Sequence, residues 1–315
     1  MNLPAFEDII QAHKLINGFI HHTPVMTSSA INRITGSEIF FKCENLQKTG
    51  AFKFRGACNA VFSLTDEQAS RGVGTHSSGN HAAALALAAR MRGIQARIVM
   101  PSNSPDIKKK AVAEYGGIIT FCEPTLQARE LTLQKIALET GIVIIHPYNN
   151  NNVIAGQGTA AKELLQTIPH LDLVMCPVGG GGLLSGTALS VKAMSSACKV
   201  IATEPLGADD AYRSFKAGYI IPSVHPKTLA DGLLTSLGET NFAIIRDNVD
   251  DVITVSEESI VLAMRMVWER MKLIIEPSAA VPLAALLENK NTFGNLNIGI
   301  ILSGGNVDLQ NLPFH

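Results

Sequence analysis

Short runs of apolar residues alternate with longer segments of helical spacing along most of this chain. The runs fall at 38–43, 96–100, 118–122, 142–145, 173–178, 199–203, 252–255 and 298–302. Several are apolar at every position rather than at every second one, which is the pattern of strands covered on both faces of a parallel sheet. Between them, 81–92, 107–115, 127–140, 159–167, 183–194, 257–271 and 277–287 carry apolar residues at helical spacing. Ser104 and Pro105 open the second of these as a cap followed by proline. The βαβα rhythm predicts an α/β fold with parallel sheets and helices on both faces. No internal repeat and no flexible linker interrupts it. In open α/β sheets, ligands bind where strands end and the next helices begin.

Composition narrows the classes. The length of 315 residues suggests roughly two domains. With 46% apolar and 17% charged residues the chain can bury a large core, which excludes a disordered protein. Lysine and arginine number 26 against 27 acidic residues, so no basic surface for nucleic acid is expected. The five cysteines (Cys43, Cys58, Cys122, Cys176 and Cys198) are scattered, without C-x-x-C spacing, and read as core residues rather than a disulfide or zinc framework. The start, MNLPAFEDIIQAHK, has no basic segment followed by an apolar one, and no apolar run reaches the ~20 residues of a membrane span. A soluble cytoplasmic protein is expected.

Three motifs carry candidate chemistry. Gly179, Gly180, Gly181 and Gly182 follow the apolar run LVMCPV and precede a helix. Such a loop turns backbone N–H groups toward one point at the positive end of a helix and so cradles a phosphate. A tight turn is the plainer reading, but it rarely needs four glycines, which are costly in folding entropy. Neither G-x-x-x-x-G-K-[ST] nor G-x-G-x-x-G occurs, so ATP in a Walker site and a Rossmann dinucleotide are not indicated. Ser77, Ser78, Gly79, Asn80 and His81 precede an alanine-rich helix. Helix capping accounts for one or two of them, and a carboxylate site accounts for all five. Lys53 lies between Phe52 and Phe54. In apolar surroundings a lysine loses its charge readily and can form a Schiff base, although most lysines are merely solvated. Together these parts suit pyridoxal 5′-phosphate and an amino acid.

At these residues the chain resembles the fold-type II pyridoxal-phosphate enzymes, the serine/threonine dehydratase and serine racemase family. The resemblance runs from TPVMTSSAINRITG to LSGGN. It implies a tryptophan synthase β-like fold of two open, mostly parallel sheets with the cofactor in the cleft between domains. A large discontinuous domain would comprise 1–69 and 148–315, and a small mobile one 70–147. No C-terminal regulatory domain is expected beyond LSGGN. By the same resemblance Lys53 binds the cofactor covalently, Phe52 packs on one ring face and the Gly232 backbone on the other. The amides of Gly179, Gly180, Gly181, Gly182 and Leu183 would hold the phosphate, Asn80 the ring oxygen and Ser303 the pyridine nitrogen. A serine cannot keep that nitrogen protonated as a carboxylate would, which favours prompt loss of a β-substituent.

The implied substrates are small L-hydroxy amino acids, namely serine, threonine and threo-3-hydroxyaspartate, converted to a 2-keto acid and ammonia. The substrate carboxylate would sit on the N–H groups of Ser77 to His81, while Lys53 moves the α-proton. Ser78 stands where many threonine dehydratases have alanine. A hydroxyl opposite Lys53 permits reprotonation from the other face, hence racemisation; Ser78 also suits a plain helix cap. Arg129 matches an arginine facing the substrate and could read a second carboxylate, or lie on a solvated helix face. Tyr148 stands where mammalian-type racemases tend to have asparagine, and Glu276 resembles a position near the cofactor. Glu204, Ala208 and Asp210 match a metal motif for Mg²⁺, or Ca²⁺ or Mn²⁺, although acidic residues at a helix start also serve the helix dipole. A homodimer is expected. Three rivals stand beside the dehydratase: serine racemisation as the main activity; a non-catalytic cofactor-binding protein, against which Lys53 argues; and a cysteine- or threonine-synthase-type β-replacement enzyme, to which Ser78, Glu204 and Asp210 do not point.

Overall fold

The structure, a computed structural model, describes residues 3–314. The expected domain limits at 1 and 315 lie outside the described residues. Ten strands form two sheets among those residues: β1 (Val25–Met26), β2 (Glu38–Cys43), β3 (Val73–His76), β4 (Ala96–Pro101), β5 (Gly117–Cys122), β6 (Val143–Ile144), β7 (Leu173–Pro177), β8 (Lys199–Pro205), β9 (Asp251–Val255) and β10 (Asn297–Leu302). The larger sheet runs β1-β2-β10-β7-β8-β9 and the smaller β5-β4-β3-β6. Only the β1–β2 pairing is antiparallel. The smaller sheet is built entirely from chain lying between β2 and β7. This is the predicted α/β architecture of parallel sheets and helices.

Each run predicted as a strand is one, but β1 and β3 were not predicted. The β3 sequence, VGTH, lacks a continuous apolar run. Glycine packs closely there: a Cβ at Gly74 would lie 2.4 Å from Ile142 Cδ1 and 3.2 Å from the Arg97 carbonyl oxygen. The helix expected at 159–167 begins earlier and spans Asn151–Thr167, with the Asn150 side chain accepting from the Val153 amide. Asn150 is therefore its cap, and Asn151 and Asn152 form its first turn.

The strands of the larger sheet are buried on both faces. On β7, Met175 faces the helices Glu257–Met271 and Pro277–Glu288 through Met264 and Leu283. Val174 faces the helices Asn151–Thr167 and Gly182–Met194 through Leu164 and Leu184. Each buried aliphatic side chain of this kind contributes about 1.5–3 kcal/mol. The helix Lys53–Phe62 was missed in the pattern, and it is a wedge between the two sheets. Phe54, Ala57 and Val61 join the smaller sheet's core with Val73, Ile98 and Met100.

Backbones touch where Asn151–Thr167 crosses its neighbours. A Cβ at Gly156 would lie 2.6 Å from the Arg55 carbonyl oxygen, and one at Gly186 would lie 2.5 Å from both Gly158 N and Ile154 O. Alanine gains about 1 kcal/mol of helix propensity over glycine, whereas forcing packed backbones apart costs about 1–3 kcal/mol or more. Gly186→Ala should therefore lower the urea midpoint. A midpoint equal to or above wild type would contradict this packing.

Candidate active site

All three sequence motifs meet at the carboxyl ends of strands, as the topology demands. Ser77 follows β3, Gly179 follows β7, Ser303 follows β10 and Pro147 follows β6. They line one cavity of about 310 Å³ together with Phe52, Lys53, Ser78, Gly79, Asn80, His81, Arg129, Tyr148, Gly180, Gly181, Gly182, Leu183 and Gly232. Every predicted catalytic, cofactor and substrate residue is thus brought together. Glu204, Ala208 and Asp210 form a separate cluster outside that lining.

Lys53 is the first residue of its helix, and the strand-like backbone before it is pinned. The Phe52 amide donates to the Ser303 carbonyl at 3.0 Å, and Ala51 bridges Gly304. The Lys53 residue keeps some exposure to the cleft, yet its amine is enclosed by protein. Nζ donates to the Pro147 carbonyl at 3.0 Å and lies 5.2 Å from the centre of the Phe52 ring. Burial pushes this amine down to about 8, against the opposing pull of Glu276. A sizeable unprotonated fraction near neutral pH is what a nucleophilic lysine needs.

The glycine loop has the form of an anion cradle. Gly181 has φ +92°, a left-handed conformation that glycine adopts without cost. A Cβ at Gly180 would lie 2.4 Å from the Tyr148 ring, so only glycine fits beneath that ring. The loop is held from behind: Asn241 Nδ2 donates to the Gly180 carbonyl at 2.8 Å and to the Tyr148 carbonyl at 3.1 Å. Gly182 begins a helix, whose first amides have no carbonyl behind them. These free amides, with Lys53 and Ser303 across the cavity, fit pyridoxal phosphate.

At the second helix start, two expectations are narrowed. The Ser77 amide donates to the Val99 carbonyl at 3.2 Å, so Ser77 offers only its hydroxyl to a ligand. Asn80 Nδ2 donates to both Glu276 oxygens, at 2.9 and 3.1 Å, and Asn80 Oδ1 accepts from Asn306 Nδ2 at 3.0 Å. Contact with a ring oxygen requires Asn80 to share those donors. Burial, with Asp231 nearby, pushes Glu276 up to about 7. His81 Nε2 sits 3.3 Å from the Ile145 carbonyl, which can only accept. Nε2 therefore carries the proton, and buried Nδ1 is left without a partner.

Residues missed in the sequence stand behind and within the walls; His146 supports Tyr148 from outside the lining. His146 Nδ1 accepts from the Tyr148 and Asn149 amides at 3.3 and 2.9 Å, and burial pushes its pKa down to about 4. It stays neutral and stands edge-on to Tyr148 at 4.5 Å. His76, Lys108, Asp231 and Asn306 also line the cavity. His76 adjoins Ser77, Asp231 adjoins Gly232, Asn306 ends LSGGN and Lys108 lies on a predicted helix. None had a spacing that marked it.

Away from the cavity, Glu204 accepts from the Ala211 and Tyr212 amides at 3.0 and 2.9 Å, so it caps the helix Asp210–Ala217. Asp210 is 1% exposed, and neither carboxylate oxygen has a well-formed hydrogen bond, although the Ser223 hydroxyl and the Leu237 amide stand near enough to pull its pKa down against burial. Burial pushes Glu204 up to about 8 and Asp210 up to about 6. Among the described residues no three His, Cys, Asp or Glu side chains gather to hold a metal.

Comparison with known proteins follows this geometry. The family model "Pyridoxal-phosphate dependent enzyme" matches residues 16–304. A β-hydroxyaspartate dehydratase of Paracoccus denitrificans (strain Pd 1222) is 50% identical over 315 residues, covering 100% of both chains. The crystal structure of serine racemase from Dictyostelium discoideum superposes with a TM-score of 0.94 at 51% identity, covering 97% of this chain and 99% of that one. The maize serine racemase structure superposes with a TM-score of 0.96 at 47% identity, covering 98% and 95%. A buried lysine, a glycine cradle and a helix-start pocket in one cleft thus accompany a match over most of the chain, and the chain belongs to the pyridoxal-phosphate dependent enzymes of fold type II.

Proposed function

We propose that this enzyme removes water from small L-hydroxy amino acids to give a 2-keto acid and ammonia, with racemisation as a side activity. The observation that carries the reading is the enclosed Lys53 amine in one cavity with a glycine cradle and Ser303, with no carboxylate at the Ser303 position. When bound, pyridoxal phosphate draws electrons from the α-carbon of an attached amino acid. The amides of Gly179, Gly180, Gly181, Gly182 and Leu183 hold its phosphate, and Phe52 and the Gly232 backbone confine its ring. Ser303 accepts or donates at the ring nitrogen without holding a full charge there. The free amides at the start of the helix Asn80–Arg92, with the Ser77 hydroxyl, bind the substrate carboxylate. Lys53 moves the α-proton, because its lowered pKa leaves it able to accept one near neutral pH. Ser78 lies on the same cavity wall as that carboxylate site and supplies a second acid/base group.

Arg129 favours 3-hydroxyaspartate among the substrates. Its guanidinium lines the cavity, is in no ion pair among the described residues, and makes only a 3.4 Å contact to the Thr125 carbonyl of its own helix. A second substrate carboxylate would answer that charge. The β-hydroxyaspartate dehydratase likeness points the same way. The test is an assay of keto-acid and D-enantiomer formation from L-serine, L-threonine and both 3-hydroxyaspartates. Keto acid should form fastest from a 3-hydroxyaspartate. Ser78→Ala should remove D-serine formation and leave elimination from L-serine. D-serine outpacing pyruvate would favour the racemase reading, and joint loss of both activities in the variant would refute two-faced chemistry.

A divalent cation, Mg²⁺ or else Ca²⁺ or Mn²⁺, fits the Glu204–Asp210 cluster. Two buried carboxylates stand together there, and the Asp210 oxygens have no well-formed hydrogen bond. Glu204, Asp210 and the Ala208 carbonyl would hold it, with water completing the shell. Its role is structural, since elimination needs no metal. Chelation should lower the melting temperature of the wild type, and Asp210→Asn should abolish that sensitivity. An unchanged melting temperature on chelation and on Mg²⁺ addition would exclude the site.

The segment 70–147 is read as a small mobile domain. Its side-chain bonds to the remainder at the cleft are few: Lys108 to Asp231, Asn80 to Glu276 and Asn306, and the Pro147 carbonyl to Lys53. Such a hinge would let Ser78 close over the substrate. A cytoplasmic homodimer binding neither nucleic acid nor membrane is proposed on family likeness. No helix among the described residues is long and apolar enough to cross a membrane.

A further inference from the structure

Behind Lys53 lies a buried ion cluster that the chemistry above does not use. Arg55 is 0% exposed, and all five of its guanidinium N–H donors are engaged. Nε and Nη2 donate to the two Glu44 oxygens at 2.7 and 2.8 Å. Nη1 and Nη2 donate to the two Glu163 oxygens at 2.8 Å each, and Nη1 also to Thr159 Oγ1 at 3.1 Å. Lys42 Nζ donates to Glu163 Oε2 and to the Thr23 carbonyl, both at 2.7 Å. Two cations thus face two carboxylates. Two histidines stand at the rim, with Nδ1 of His13 and His22 at 3.8 and 3.7 Å from Glu163 Oε1. Burial and Lys162 hold His13 below its ordinary range, so it leaves that balance intact near neutral pH.

Stability is a poor reason for such a cluster. Taking an ion out of water costs several kcal/mol, and apolar replacements of buried ion networks are often neutral or stabilising. What a planar fork gripping two carboxylates supplies is orientation. The carboxylates belong to different parts of the fold. Glu44 directly follows β2, and Glu163 lies on the helix Asn151–Thr167, whose lead-in carries Pro147. Lys53 and Arg55 are two residues apart on one helix, so their side chains leave it about 200° apart. Lys53 enters the cleft while Arg55 grips the wall behind. The bonds at Ala51 and Phe52 fix where the helix starts, and the contact of Gly156 with Arg55 and Gly56 fixes its distance from the neighbouring helix. Rotation about its own axis is held farther along by the packing of Phe54, Ala57 and Val61 and by the Asn59 Nδ2 bond to the Asn152 carbonyl at 2.8 Å, and beside Lys53 itself by the fork.

We propose that Arg55 is a positioning residue, and that its two-carboxylate grip sets the rotation of the helix at Lys53 and so the place of the Lys53 amine against the Pro147 carbonyl and the glycine cradle. The proposal rests on the reading of Lys53 as the cofactor lysine. Displacing a reacting group by about 1 Å can cost on the order of 100-fold in rate, so a small rotation is enough.

Arg55→Lys tests this, because a lysine keeps the charge but cannot span both carboxylates. Glu163→Gln is the milder second variant, since it keeps an acceptor and the side-chain shape. Folding is checked by near-ultraviolet circular dichroism and cooperative unfolding. The pH dependence of acylation at Lys53, followed by mass spectrometry on cofactor-free protein, then reports the amine itself. A folded Arg55→Lys or Glu163→Gln should shift that profile by at least about half a unit. It should also lose at least about tenfold in kcat with KM nearly unchanged, since the substrate carboxylate site lies elsewhere. A folded variant with wild-type acylation and kcat overturns the proposal. So does failure of both variants to fold, which would make the cluster structural only. If wild-type protein fails to attach the cofactor at Lys53, it is the underlying reading of the site that falls instead.

Discussion

One ammonium group is kept out of water at the meeting of two sheets, and the rest of the structure is arranged to make that tolerable. The Lys53 amine donates to the Pro147 carbonyl and has the Phe52 ring beside it. Burial makes its charged form expensive and pushes its pKa down to about 8, which leaves more of the unprotonated form than an ordinary lysine has. The cost of that burial must be met elsewhere in the fold. It is met by the Ala51–Gly304 bridge, the Phe52–Ser303 bond and the packed helices around it, while the Arg55 cluster orients the lysine rather than offsetting that cost.

The parallel topology supplies the remainder. Parallel strands place all their carboxyl ends on one side, so two such sheets facing each other converge their loops on one cleft. The larger sheet contributes the glycine cradle and Ser303, and the smaller contributes the helix start at Ser77 to His81. In the proposed function, backbone amides would supply most of the anion binding, which suits a chain of net charge −1 to a phosphate and a carboxylate. Side chains would then act at fewer points: Lys53 and Ser78 on protons, Arg129 on substrate choice.

Much of this was legible in the residues. Strands buried on both faces leave continuous apolar runs, and every such run became a strand. Glycine loops and helix caps are local features, so the cradle and the 77–81 loop were visible as well. Elements whose local pattern is overridden by packing were not. β3 is written VGTH, with Gly74 packed closely against Ile142 and the Arg97 carbonyl. The Asn151–Thr167 helix hides its start in polar and glycine residues that exist to bring two other helices into backbone contact. Long-range pairings left no trace at all. Arg55 meets Glu163 across 108 positions, and Asn80 meets Glu276 across 196. His146 takes its place through backbone amides that only the fold presents.

The central claim is that the Lys53 amine is the group that holds the cofactor, and covalent trapping tests it most directly. Purified protein is loaded with pyridoxal phosphate, reduced with borohydride, digested and mapped by mass spectrometry. The account predicts one pyridoxyl-phosphate adduct, on Lys53, close to one per chain, and none at that stoichiometry in Lys53→Ala. An adduct on another lysine, or wild-type protein that takes up no cofactor, would contradict it.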